Sequence, residues 1–197
     1  IAAHGGKVTF VQTNVADEES VKSFIDRVVA EGGRIDGLVN NAGIQQWMSL
    51  LDADVMQRAY TEIATNVEAV VHLTTLFAQS ASLTTLMNVS SGLAFVPLTA
   101  VPVYSATKAF VRSFTQSTRH LLRNRGVEVI EIIPPALNTD LGGVGLHDLA
   151  PPVDDFVHAM FLQLEERKEE ITFGFSENMV SSGPDQLRQA FQRMNSR

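Results

Sequence analysis

The stretch Ser91-Gly-Leu-Ala-Phe-Val-Pro-Leu-Thr-Ala-Val-Pro-Val-Tyr-Ser-Ala-Thr-Lys108 decides how the rest of the chain is read. It carries a hydroxyl at Ser91, a phenol thirteen residues later at Tyr104 and an amine four residues after that at Lys108. The run Leu83-Thr-Thr-Leu-Met-Asn-Val89 just before it is β-rich and apolar, and reads as a strand. Beyond Pro102 the chain takes on helical periodicity, and proline suits the first turn of a helix. Residues four apart share a helix face, so Tyr104 and Lys108 point the same way. A phenol of ordinary pKa near ~10 is a poor proton carrier at neutral pH. A cation held beside it favours the phenolate and draws that pKa toward the working range. Ser91, at the mouth of the strand, is placed to hydrogen-bond a substrate oxygen next to the phenol. Its neighbour Ser90 competes for that role, and Ser-Ser-Gly is also a natural exit from a strand. The pattern predicts proton transfer at a carbonyl or alcohol.

Outward from this stretch, strands and helices alternate. Lys7–Gln12 reads as a strand, followed by a helix that Asp17 caps, that Glu18 and Glu19 favour through its dipole, and that Gly32-Gly33 stops near Glu31. Ile35–Asn40 is a second, nearly all-apolar strand, as a buried parallel sheet requires. A long helix is predicted from Asp52 to about Gln79, then the strand before Ser91, then a helix over Val103–Arg123 closed by Arg123, Arg125 and Gly126. Val127–Ile133 is another strand. A Pro/Gly-rich loop, Pro134–Pro152, leads to a helix over Val153–Arg167, a last strand Ile171–Phe175 and a short helix Pro184–Met194. The alternation predicts an α/β, doubly wound, Rossmann-like parallel sheet forming a single domain over residues 1–197.

Composition narrows the classes. With 45% hydrophobic and 19% charged residues in 197, the chain can bury a sizeable core. A net charge of −7 argues against a nucleic-acid or anionic-membrane surface. The chain has 0 cysteines, which excludes disulfides and thiolate chemistry. No apolar run approaches the ~20 residues of a membrane span, so the default location is the cytoplasm. His4, His72, His120, His147 and His158 have no paired ligand spacing and read as solvated or core residues. Trp47 suits a pocket wall or the core equally. Arg112, Arg119 and Arg123 read as a solvated or intersubunit face. Asn66, a poor helix former inside a predicted helix, points either to function or to a local backbone hydrogen bond.

Tyr104-Ser-Ala-Thr-Lys108, Asn40-Asn-Ala-Gly43 and Asn88-Val-Ser-Ser91 together resemble the short-chain dehydrogenase/reductases. More narrowly, Gly92–Pro97 and Pro134–Gly143 resemble a subgroup named for D-alanine esterification of teichoic acid. The resemblance implies hydride transfer between NAD or NADP and a small carbonyl or alcohol substrate. It makes Tyr104 the acid/base, Lys108 its partner and a ribose ligand, Ser91 the holder of the substrate oxygen and Asn66 a proton relay. It assigns Asn41 and Gly43 to the ribose side of the cofactor, Asn14 and Val15 to the adenine, and Leu137 and Thr139 to the nicotinamide half. Pro135 departs from the family, which has glycine there. It also implies a homodimer or homotetramer built on the two long helices. A non-catalytic, dinucleotide-sensing or scaffold relative is the rival expectation.

One expected feature is missing. No strand–glycine-rich turn–helix unit that would hold the pyrophosphate precedes Asn40. Relative to the family, strands 1 and 2 are absent from this sequence. The expectation is therefore an open edge beside the Ile35–Asn40 strand, no parallel partner for Lys7–Gln12, and weak dinucleotide binding by these 197 residues alone.

Overall fold

The computed structural model describes residues 6–31 and 34–196. His4, Gly5 and the Gly32-Gly33 helix stop lie outside the described residues. The chain divides into two units, Ile1–Arg34 and Ile35–Arg197.

In the first unit, helix α1 spans Glu18–Ala30. Asp17 caps it as predicted: its Oδ1 accepts the Ser20 N–H at 2.7 Å. The turn before it is tied by Asn14, whose Oδ1 accepts the Ala16 N–H at 3.2 Å and whose carbonyl accepts the Asp17 N–H at 3.1 Å. The predicted strand at Lys7–Gln12 is not formed, and residues 6–14 run without regular structure. A strand exists only by pairing its backbone groups with a neighbour. Among the described residues none pairs with this segment, and Phe10 lies exposed.

The second unit holds a four-stranded parallel sheet in the order β1-β2-β3-β4, with β1 Gly37–Asn40, β2 Thr85–Val89, β3 Glu128–Ile133 and β4 Glu170–Thr172. Asn40 is paired with Asn88, Asn88 with Glu131 and Glu131 with Glu170, so the polar residues of all four strands share one row. Among the described residues, β1 and β4 are the two edges of this sheet. On one face, Ile130, Ile132 and Ile171 pack with Phe156 of α5 (Val153–Glu165). Side chains alternate along a strand, which turns Glu131 to the opposite face, toward α4, Pro102–Leu122. That helix begins on Pro102 and passes through a short 3₁₀ turn to Gly126, whose φ of 70° is the left-handed cap predicted there.

Two departures from the sequence reading matter for the site. The long helix starts at Val55 and consists of α2 (Val55–Ile63), a π-helical segment (Ala64–Glu68) and α3 (Ala69–Ala78). Asn66 lies in the π segment, the kind of local widening of the helix that often marks a functional site. The last strand stops at Thr172, because Gly174 at φ 55° turns the chain into α6, Phe175–Ser181, before α7, Pro184–Asn195. Ser176 holds this turn by donating its hydroxyl to the Ile133 carbonyl at 2.5 Å. Among the described residues, no helix is long and apolar enough to cross a membrane.

Candidate active site

A cavity of about 960 Å³ opens where β1, β2 and β3 end, all at their carboxyl ends, where open parallel sheets bind ligands. Asn41, Gly43, Ser91, Tyr104, Lys108, Leu137 and Thr139 line it. Asn66 stands behind it, and Asn14 and Val15 belong to the first unit.

Strand β2 and helix α4 set the chemistry between them. Tyr104 and Lys108 stand one turn apart on α4, both buried. The Lys108 amine donates to the Val89 carbonyl at 2.9 Å and lies 5.5 Å from the centre of the Tyr104 ring. Ser91 lines the cavity with Tyr104 and lies near enough to the phenol to draw its pKa down. Its oxygen accepts the Leu93 N–H at 3.1 Å, which leaves its proton for a neighbouring oxygen. Ser90, its competitor, is spent elsewhere: it donates to the buried Glu131 carboxylate at 2.5 Å. Of the two serines, only Ser91 faces the phenol.

The electrostatics differ from the expectation that a nearby cation draws the phenol down. Burial pushes Tyr104 up to about 12, with the Ser91 hydrogen bond working against it and the Glu62 charge adding to it. Burial also pulls the Lys108 ammonium down to about 8. In a buried site both charges are costly, and desolvation is the leading cause of both shifts. This has a consequence for stability. Below pH about 8, Lys108 is protonated folded and unfolded. From there to its ordinary 10.5 the unfolded chain holds more protons, so rising pH favours folding by up to a few kcal/mol. Tyr104 opposes this above its ordinary 10, where only the unfolded phenol ionises. In the ligand-free protein, unfolding free energy should therefore climb between pH 8 and 10, and Lys108→Met should lose that climb. Parallel denaturant curves for the two proteins across this range would contradict it.

The sequence reading missed the device that holds the cavity wall. Arg58, Glu62 and Asn66 recur every four residues along the helix, and each grips the backbone of the loop after β1. Asn66 Oδ1 accepts the Ile44 N–H at 2.9 Å and its Nδ2 donates back to the Ile44 carbonyl at 2.8 Å. Glu62 Oε1 accepts the Gln46 N–H at 2.5 Å, and Arg58 donates to the Trp47 carbonyl at 2.6 Å. Asn66 also donates to Thr107 Oγ1, whose hydroxyl donates to the Tyr104 carbonyl. The Asn66 amide is thus committed to loop and helix. Glu62 is fully buried with Oε2 unpartnered, and burial raises its carboxyl above the usual range. The four-residue spacing from Asn66 was the available signal.

Held in this way, Gln45 and Trp47 turn their side chains into the cavity, which settles Trp47 as wall. Gly142 meets them from the loop after β3. Its φ is +83°, and a Cβ there would stand 3.2 Å from Gln45 Oε1 and 3.3 Å from Trp47 Nε1. His147 lines the same cavity, its Nε2 paired with the Leu141 carbonyl at 3.0 Å. The arginines of α4 correct the surface reading. Arg112 donates to Glu131 at 2.8 Å and Glu170 at 3.1 Å, and Arg119 to the Val129 carbonyl at 2.7 Å. Both face the sheet, Arg112 because a fully buried strand glutamate requires a cation, and Arg119 through the Val129 and Glu169 carbonyls.

A nicotinamide cofactor would fit the cavity end near Gly43. A Cβ at Gly43 would come 3.4 Å from Asn66 Oδ1 and 3.5 Å from Lys108 Nζ, so the missing side chain is what keeps that amine open to the cavity. Of the three donors of that ammonium, one is used on Val89.

Comparison with known proteins agrees with this architecture. The short chain dehydrogenase family model matches residues 1–147. The uncharacterized oxidoreductase DltE of Bacillus subtilis is 34% identical over 93% of this chain and 77% of its own. The probable oxidoreductase EphD of Mycobacterium tuberculosis is 32% identical over 96% of this chain, which spans 31% of that longer protein. Among solved structures, a short chain dehydrogenase from Burkholderia cenocepacia in complex with NADP superposes with a TM-score of 0.80 at 24% identity, covering 96% of this chain and 81% of that one. One from Sphingobium yanoikuyae in complex with NADPH gives 0.74 at 23% identity, covering 98% and 78%. With the parallel sheet, the strand-end cavity and the family match on one chain, this protein belongs to the short chain dehydrogenases.

Proposed function

We propose that this chain carries the proton-transfer site of an oxidoreductase that interconverts a carbonyl and an alcohol with NAD(P)(H). The observation that carries the reading is the buried Tyr104 phenol lining the cavity together with Ser91, with the Lys108 amine 5.5 Å from the centre of its ring. When bound, the dinucleotide supplies or takes the hydride at carbon. The protein's part is the oxygen. Ser91 donates a hydrogen bond to the carbonyl oxygen, and Tyr104 donates the proton that turns the developing alkoxide into a hydroxyl. Hydride on carbon and proton on oxygen complete the reduction, and oxidation reverses both.

A phenol held near 12 is a poor base but a ready hydrogen-bond donor, which suits the reductive direction. Lys108 steadies the phenolate that proton donation leaves until a proton from solvent restores the phenol, and its spare donors would meet ribose hydroxyls. Asn41 and Gly43 would line the ribose, and Leu137 and Thr139 the carboxamide side. With its side chain spent on Ile44 and Thr107, Asn66 would serve a proton relay by positioning a water on its backbone carbonyl. Full-length protein that oxidises NADPH or NADH with any of a panel of ketones meets this reading. Dinucleotide binding with no turnover across the panel would instead leave the sensing relative.

Assembly follows the same helices. Met56, Tyr60 and Ile63 on α2 and Phe110 and Leu121 on α4 are large apolar residues left open to solvent. We infer that copies of the chain pair through these faces. Light scattering that returns a monomer mass at micromolar concentration would refute it.

A further inference from the structure

The cavity walls beyond Ser91 and Tyr104 bear on what can enter. Trp47, Leu93, Leu98, Leu141, Leu146 and Met194 come from four different segments and all contribute apolar side chains to the lining. Among the described lining residues the formally charged side chains are Lys108 and Asp140. Lys108 is buried against the Val89 carbonyl and the Tyr104 ring, on the side assigned to the cofactor. Asp140 is exposed and carries the wrong sign for an anion. His147, the remaining candidate cation, already has its Nε2 on the Leu141 carbonyl. An anionic substituent entering this space would lose its water and meet no arginine, and no lysine but Lys108, among the described lining residues. The wall is also prevented from swinging aside to readmit water, because Arg58, Glu62 and Asn66 grip the backbone on both sides of Gln45.

We propose that the substrate is an uncharged, largely apolar carbonyl compound whose body lies on Trp47 and the leucines of the loop after β3, and that carboxylate- or phosphate-bearing analogues are excluded. The proposal rests on the carbonyl/alcohol reading above and names its substrate class. Gln45 supplies the neutral polar contact on that wall, and Ser91 with Tyr104 fixes the reacting oxygen.

Trp47 makes a test independent of catalysis. It is the only tryptophan among the 197 residues, it is 45% exposed and it lines the cavity. Its emission in the full-length protein, with Trp47→Phe as blank, would be titrated with a matched pair of probes, 4-phenylbutan-2-one and its para-carboxylate. The neutral ketone should shift the emission saturably, and the carboxylate should need at least about 100-fold more, because its lost hydration is not returned. Leu141→Arg, which sets a cation on the wall, should narrow that gap at least roughly tenfold, one decade of affinity being the least a desolvated charge pair returns. Equal affinity for the two probes would overturn the proposal, as would a Trp47 signal that neither probe moves. Saturable, selective binding without reduction of the ketone would leave the substrate class standing and remove the catalytic reading alone.

Discussion

Replacing Tyr104 by phenylalanine is expected to lower kcat by about 10²–10⁴-fold, the range in which a positioned proton donor contributes. The affinity for NADP or NAD should stay within about a factor of two, the precision of a Kd compared on the scale of tenfold per 1.4 kcal/mol. The phenol is buried and fills its space with a ring that phenylalanine reproduces, so packing is kept and only the hydroxyl is removed. Lys108 keeps its bond to Val89 and its place near the ring. The hydroxyl that Ser91 loses as partner is replaced by substrate oxygen, so the variant should still bind ketone. Isothermal titration with the dinucleotide, run beside steady-state kinetics, separates the outcomes. A matching fall in cofactor affinity would make Tyr104 a structural residue and sink the proton-donor assignment.

The largest effect on stability should come from Arg112→Met. Glu131 is fully buried in β3, and its carboxylate is met by the Ser90 hydroxyl at 2.5 Å and the Arg112 guanidinium at 2.8 Å. Removing one member of a buried pair leaves a charge without compensation, at a cost of about 3–5 kcal/mol. Burial already raises the Glu131 pKa, with Ser90 and Arg112 holding it down, and the variant should raise it further. A carboxyl whose folded pKa is raised gives stability below its unfolded value that is lost as pH rises through the folded one. The deficit of Arg112→Met should therefore be greatest at neutral pH and shrink toward the pH range where Glu131 is protonated. Glu131→Gln in the same background should recover most of it. Urea denaturation checks all three statements, and a loss under about 1 kcal/mol, the size of an exposed pair, would return Arg112 to the solvated face.

The sequence made the parallel sheet and the Ser91–Tyr104–Lys108 group legible for a local reason: each rests on spacing within one strand or one helix. Thirteen residues from strand end to helix and four along the helix need no knowledge of the rest of the chain. What it hid depends on contacts between distant segments. Glu131 reads as one polar residue in an apolar run, and only the register with Glu170 and the crossing of α4 show that Arg112 reaches it. Lys7–Gln12 has the composition of a strand, but composition supplies no partner. Tyr104 shows the same limit in electrostatic form. The lysine four residues on was visible, whereas the burial that overrides it was not.

The grip of Arg58, Glu62 and Asn66 on Ile44, Gln46 and Trp47 has a consequence for how the gene can change length. Each residue added to or removed from a helix turns everything beyond it by about 100°. An insertion or deletion between Arg58 and Asn66 would carry at least one of the three away from the loop and free the wall beside the active site. The exposed tip Leu50-Leu51 lines no part of the cavity, so a change of length there should leave the wall in place provided Asp52 and Asp54 keep their ion pairs to Arg58. Insertions and deletions in relatives should therefore fall at that tip, leaving the seat of Trp47 fixed. A relative with a gap inside the 58–66 segment and an unchanged wall would contradict this.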